Sequence, residues 1–206
     1  DLMQFRTTLT HILERTNPQT DLYVLSNLSM DTLDYTGPQI NEGSKGIWLG
    51  LGSPRRSLPR EFSASEIPAG VDKVIVFSPG CLVVGGLPWS EDRKMPVRIA
   101  EHPAFTDWPL IVLSSEPERA AASETNFLWT TFTRFEPAAD LYSRDTSIVR
   151  HHLSYQFPIV IDARIKPPYP EELTCAPDVS QRVATRWKEY FPDGVEMGDS
   201  EQAHLD

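Results

Sequence analysis

The sequence predicts an α/β fold: a mixed or mainly parallel sheet flanked by helices, with an internal partial repeat. Three observations carry that expectation. Apolar runs of strand length, KVIVF at 73–77, PLIVLS at 109–114 and FPIVIDARIKP at 157–167, are bounded by turn residues, as strands covered on both faces are. Between the last two lies 116–135, rich in Ala, Glu and spaced aromatics, so strand, helix and strand follow one another in a βαβ progression. The third is a repeat: RTNPQTDLY at 15–23 returns as RFEPAADLY at 134–142, matching Arg15 to Arg134, Pro18 to Pro137, Asp21 to Asp140, Leu22 to Leu141 and Tyr23 to Tyr142.

Taken in order, residues 2–14 place Phe5, Leu9, Ile12 and Leu13 at helical spacing until Asn17 and Pro18 stop the helix. Strands are expected at 21–25 and 47–51. The Pro- and Ser-rich stretch 52–70 reads as a linker over the surface. Strands at 73–77 and 82–84 flank a tight turn at 78–81, and a short helix at 95–101 ends near His102 and Pro103. The last helix, 178–191, has Asp178 as its N-cap, Val179, Val183, Trp187 and Tyr190 on one face, and Pro192 with Gly194 as terminators. In both copies of the repeat an apolar helix ends, proline stops it, and Leu-Tyr opens a strand. The expected organisation is a truncated first copy at 1–62, a linker at 63–72, a fuller second copy at 73–191 and a frayed acidic tail at 192–206.

Composition narrows the function classes. With 206 residues, 40% apolar and 23% charged, the chain has globular proportions and can bury an ordinary core. Its 29 acidic against 19 basic residues, a net charge of −10, argue against nucleic acid, whose phosphates need a basic surface. No run of 18 apolar residues exists, so no membrane partner is expected. Cys81 and Cys175 lie far apart without metal spacing and read as reduced thiols of a cytoplasmic protein. The chain opens on Asp1 in what reads as the middle of a helix, with no signal-peptide pattern, so the natural polypeptide is expected to continue upstream.

Motifs that carry chemistry are scarce. There is no GxGxxG, Walker loop, HExxH, GxSxG or paired CxxC. Gly43, Gly46, Gly50 and Gly52 are followed by no helix and read as strand and turn rather than a phosphate cradle. A nucleotide-binding domain would want a glycine-rich strand-to-helix junction, and 114–117 has no glycine. His151 and His152 are adjacent, so in a strand they point to opposite faces and cannot share a metal. His102 caps or packs at a helix end, and Asp31 with Asp34 reads as a solvated turn. Asp162, inside an apolar strand, is the carboxylate expected to be buried, and a buried carboxylate needs a partner. Arg164, two residues on along the same face, supplies one, as a structural pair.

Several of these segments, in this order, resemble the C-terminal domain of the UbiD family. They are TRFEPAAD after an FLW helix, PLIVLS before it, and VIDARIKP then PDVSQRVATRWKEYF after it. RTNPQTD, SMDTLDYTGP and GSK in the first copy resemble the same region, so the likeness covers nearly the whole chain. The resemblance implies a part of a reversible non-oxidative (de)carboxylase of aromatic or unsaturated acids. Such enzymes use prenylated FMN with a divalent metal and potassium. It also implies that this domain covers the substrate pocket and supports oligomer assembly beside a catalytic segment or partner subunit. No counterpart of the family's catalytic Glu-Arg-Glu set or cofactor segment is found, so no catalytic or metal residue is assigned and no cofactor is expected on this chain alone. What carries over is the strand after the TRxxPxxD turn, which makes Tyr23, Leu25 and Tyr142 candidates for the substrate-pocket wall. The alternative function is a non-catalytic scaffold or binding domain.

Overall fold

The first helix, α1 (Phe5–Arg15), buries Leu9 and Leu13, the side chains its periodicity puts on one stripe. Its unpaired N-terminal donors meet Glu124, whose carboxylate accepts from the backbone N–H groups of Phe5 and Arg6, each at 2.9 Å. These positions come from a computed structural model that describes residues 4–173 and 175–195. The expected first turn at residues 2 and 3 and the acidic tail beyond 195 lie outside the described residues. After Pro18 the chain enters β1 (Leu22–Ser29), which pairs antiparallel with β2 (Glu42–Trp48). β2 starts and ends earlier than the apolar run at 47–51 suggests. From Gly50 the backbone passes against α1, where Ile12 Cα would lie 2.5 Å from any Cβ at position 50. The stretch expected to be a surface linker is a packed strap. Arg56 Nη1 donates to the carbonyls of Leu13 (2.6 Å) and Thr16 (2.7 Å), and the Phe62 ring stacks on Phe105 at 5.4 Å.

β3 (Val71–Ser78) and β4 (Cys81–Gly86) form a hairpin closed by Pro79 and Gly80, the latter at φ 77°. Then come α2 (Met95–Glu101), a 3-10 turn at Pro103–Phe105, and β5 (Leu110–Ser114). The single helix expected over 116–135 is two, α3 (Pro117–Ala122) and α4 (Glu124–Phe132). Ser123 breaks it: its backbone is extended, and its Oγ caps the second helix by accepting from Asn126 N–H at 3.0 Å. The short α5 (Pro137–Asp140) leads into β6 (Leu141–Ser143), the hairpin β7 (Thr146–Val149) and β8 (His152–Tyr155), and β9 (Ile159–Ala163).

Five strands make the main sheet in the order β3-β4-β5-β9-β6. β4, β5 and β9 run parallel, while β3 and β6 pair antiparallel at the edges, so the α/β sheet is mixed. The β5-to-β9 link is the expected βαβ crossover with β6, β7 and β8 inserted before its return. Alternation sorts the side chains. Val83, Val112 and Ile161 pack with Leu9, Leu13, Phe77 and Phe127 on one face. Leu82, Val84, Ile111, Leu113 and Val160 pack with Ile99 and Phe105 on the other. All these elements belong to one compact unit, Asp1–Tyr169. The second unit, Pro170–Asp206, holds α6 (Pro177–Thr185) and α7 (Trp187–Tyr190). Its N-cap is Ala176 rather than Asp178, because Pro177 already occupies the first helical position; Asp178 sits in the first turn instead. Among the described residues no helix is long and apolar enough to cross a membrane.

Candidate functional site

β9 delivers three polar side chains at two-residue intervals, Asp162, Arg164 and Lys166, where the strand leaves the sheet. The carboxyl end of a parallel strand is where open α/β sheets present their chemistry. Asp162 and Arg164 are both completely buried, and the guanidinium grips the carboxylate through Nε (2.8 Å) and Nη2 (2.7 Å). Arg164 Nη1 also donates to the carbonyls of Leu87 (2.8 Å) and Asp92 (2.9 Å), tying β9 to the loop after β4. Lys166 Nζ donates to the carbonyls of Arg134 (3.0 Å) and Asp162 (2.9 Å) and lies 3.1 Å from Asp140 Oδ2.

The second copy of the repeat supplies the other half of this layer. Arg134 Nη1 donates to Glu116 Oε2 at 2.6 Å, Arg119 Nη1 reaches the other oxygen at 3.0 Å, and Tyr169 Oη donates to Arg134 O at 3.0 Å. Burial alone would raise the Glu116 carboxyl, but the bonds from Arg134 and Arg119 outweigh it and hold the group below the usual carboxylate range. For Asp140 the balance is opposite: burial pushes it up more than the Glu136 N–H and Lys166 pull it down. Burial, reinforced by the Asp140 charge, also pushes the Tyr169 phenol up. A phosphate-bearing cofactor with a divalent metal needs uncommitted cations and convergent ligands. Here Arg164 and Lys166 are bonded to carboxylates and carbonyls. No group of three His, Cys, Asp or Glu side chains among the described residues is placed to hold a metal ion. This layer does not fit such a group, and its arrangement is that of a clamp.

The two copies of the repeat close the same turn. Asp21 Oδ2 accepts from Asn17 N–H at 2.8 Å, and Asp140 Oδ2 accepts from Glu136 N–H at 2.8 Å. The backbone bond of each aspartate runs back to the same residue, also at 2.8 Å. Pro18 lies within the first turn and Pro137 opens α5 in the second. Arg15 and Arg134 part company: Arg15 Nε donates to Gly52 O at 3.1 Å near the surface, while Arg134 is buried in the ionic layer.

Next to the clamp lies an apolar cavity of about 330 Å³, between the sheet face carrying Leu110, Val112 and Ile161 and the covering elements α1, α4 and β1-β2. Tyr23, Leu25 and Tyr142 do not line it. Their neighbours Leu22 and Leu141 do, because successive strand residues face opposite ways. Tyr23 and Leu25 stand on the outer face of β1, with Tyr23 opposite Ile47 and 4.8 Å from the His152 ring. Tyr142 packs on the far side of the main sheet. His151 occupies a turn at φ 67° rather than a strand, which parts it from His152, the first residue of β8. His102 Nδ1 accepts from Ala104 N–H at 3.2 Å as a cap. Asp31 and Asp34 each close a local turn, and Asp34 borders the cavity. Cys81 and Cys175 are unpaired thiols, the first fully buried and pushed up by burial. Sequence reasoning alone misses Lys166, Glu116 and Tyr169. The i, i+2, i+4 spacing of Asp162, Arg164 and Lys166 is the signal that could find the first.

Residues 1–50 match the family profile described as the 3-octaprenyl-4-hydroxybenzoate carboxy-lyase C-terminal domain, that of UbiD. A Chlamydia pneumoniae protein named as a subunit of 4-hydroxybenzoate decarboxylase is 42% identical over 192 residues, 93% of this chain and 32% of that protein. An uncharacterized protein of Chlamydia trachomatis serovar D is also 42% identical over 192 residues, again 93% of this chain and 32% of that one. The chain thus spans about a third of the length of the curated relatives it matches. Among solved structures, the vanillic acid decarboxylase of Sedimentibacter hydroxybenzoicus in open form aligns at 15% identity and a TM-score of 0.33, covering 56% of this chain and 27% of that one.

Proposed function

We propose that this chain, which carries UbiD C-terminal-domain sequence, is the C-terminal portion or a subunit of a UbiD-type non-oxidative (de)carboxylase of aromatic or unsaturated carboxylic acids. The observation that carries the proposal is the 42% identity, across 93% of the chain, to a protein named as a decarboxylase subunit. In this reading the prenylated flavin, its divalent metal and potassium are held by a catalytic segment or partner subunit of a cytoplasmic oligomer. The cofactor supplies the electron sink for loss of CO2. The residues of this chain orient and enclose, and the clamp of Asp162, Arg164 and Lys166 keeps the covering elements in register.

The outer face of β1-β2 supports a covering role. Tyr23, Leu25 and Ile47 are 39%, 45% and 45% exposed on one side of a two-stranded sheet, an apolar surface suited to burial against another part of the enzyme. Tyr23 and Leu25 are on this reading the wall residues nearest the substrate, while Tyr142 packs apart from them on the far side of the main sheet. The two matching turns around Asp21 and Asp140 support descent of the segments 1–62 and 73–191 from one unit, joined at 63–72.

The test is reconstitution of the complete polypeptide, or of this chain with its co-purifying subunit, with prenylated FMN, manganese and potassium. Decarboxylation, or exchange of labelled CO2, on a panel of hydroxybenzoates and cinnamates is expected, with little flavin retained by the isolated chain. Tight flavin retention by the isolated chain would overturn the placement of the cofactor elsewhere. No turnover by the complete assembly would leave the non-catalytic scaffold standing.

A further inference from the structure

We propose that the connection between β1 and β2, residues 30–41, is a lid that swings as one body at the half-open apolar cavity and is latched by the ring of Tyr35 on that of Tyr169. Met30, Asp34 and Thr36 of this connection form part of the cavity wall, together with Val112 and Ile161 of the main sheet. The connection is bonded to itself and not to the body beneath it. Met30 N–H donates to Asn41 O at 2.9 Å, Asp34 N–H to Asp31 O at 3.1 Å, and Glu42 N–H to Gln39 O at 3.1 Å. The Asp31 carboxylate accepts from Leu33 N–H, and that of Asp34 from Thr36 N–H and Oγ1. Every hydrogen bond of residues 30–41 therefore ends within residues 30–42.

None of these residues is buried, and Leu33 and Ile40 are 85% and 78% exposed. A segment with local hydrogen bonds and few buried contacts opens ahead of the rest of its domain. What holds it down is side-chain contact. The Tyr35 ring meets that of Tyr169 edge-on at 5.2 Å, and Tyr169 is fixed in turn by its bond to Arg134 O. Charge works against that latch. Burial raises the Glu136 carboxyl, and the charges of Asp140 and Asp34 raise it further, so the seated lid brings a third carboxylate toward two on the body. A joint lies directly behind the lid, where the register of β1 on β2 slips between Leu25 and Leu28, a bulge with Asn27 at φ 56°.

The lid stands on contacts within residues 22–169 and does not rest on the decarboxylase reading. Opening on the microsecond-to-millisecond scale is read by methyl relaxation dispersion on the purified protein. Met30, Val112 and Ile161, at the cavity, are expected to share one exchange rate, while Leu82 and Ile99, packed on the other face of the sheet, show none. Tyr35→Ala should raise the open population about twofold to tenfold, the worth of one aromatic pair, with Tm close to wild type because the ring is exposed. Tyr35→Phe keeps the ring and should leave the population unchanged. Flat profiles in both wild type and Tyr35→Ala overturn the proposal. So does exchange that Leu82 and Ile99 share, a population that Tyr35→Ala leaves unchanged, or one that Tyr35→Phe raises as much as Tyr35→Ala.

Discussion

Asp162 and Arg164 stand two residues apart on one strand and meet in a two-point ion pair, 2.8 and 2.7 Å, with neither side chain reaching solvent. Because Arg164 also serves the Leu87 and Asp92 carbonyls, its removal strands a buried carboxylate and two acceptors at once. Arg164→Met is therefore expected to lower the unfolding free energy by about 3–5 kcal/mol, read from urea denaturation. Arg164→Lys should recover little of it, since an ammonium cannot form the fork. A midpoint close to wild type in either variant would contradict the clamp.

Asp21 and Asp140 make the same bond but in different surroundings, and the difference should be measurable. Asp21→Ala removes a partly exposed turn-closing carboxylate and should cost about 1 kcal/mol, like loss of a helix cap. Asp140→Ala also takes the counter-charge from buried Lys166 and should cost about 3 kcal/mol or more. Equal losses in paired melting curves would mean that the Lys166 contact adds nothing.

Glu116 sets an acid limb. Its folded value is lowered relative to an ordinary glutamate at 4.5, so its stabilisation is present above that value and is lost as pH falls through the folded one. Glu116→Gln should be less stable than wild type at pH 7. The gap should begin to close as pH falls below the ordinary glutamate value of 4.5 and vanish once the wild-type carboxylate, held lower by Arg134 and Arg119, protonates. A gap that stays constant over that fall in pH would show that charge on Glu116 is immaterial.

Gly80 holds the hairpin between β3 and β4 at φ 77°, and a Cβ there would lie 2.7 Å from Leu58 Cδ2. Leu58 can rotate, but the left-handed backbone cannot be relieved. Gly80→Ala should cost about 1–2 kcal/mol and lower Tm by several degrees, whereas the same change at Gly52, with nothing within 4 Å, should show only the backbone part.

Much of the fold is legible in the chain. The apolar runs around Val76, Val112 and Ile161 are strands because a β-branched run without polar interruptions is stable only where both faces are covered. α1 ends at Arg15, just before Asn17 and Pro18, as expected, whereas α4 ends at Phe132 and Pro137 opens α5 instead of stopping a helix. Ser123 is not legible in the same way, because a serine inside an Ala-rich run is a weak signal until its Oγ is seen accepting from Asn126. The strap at 52–70 reads as a linker since no period marks it, and its order comes from single anchors, Arg56 and Phe62, on distant partners.

By itself the sequence determined the local grammar: which runs are strands, where proline stops a helix, that Asp162 must find a cation, and that two stretches share one turn. Those properties follow from backbone sterics and side-chain chemistry within a few residues. Tertiary structure decided the rest, because burial and hydrogen-bond partnership depend on residues far apart in the chain. It made Arg134 part of a buried layer and left Arg15 near the surface, turned Leu22 and Leu141 toward the cavity and Tyr23 away from it, and left Thr131 Oγ1 without a partner.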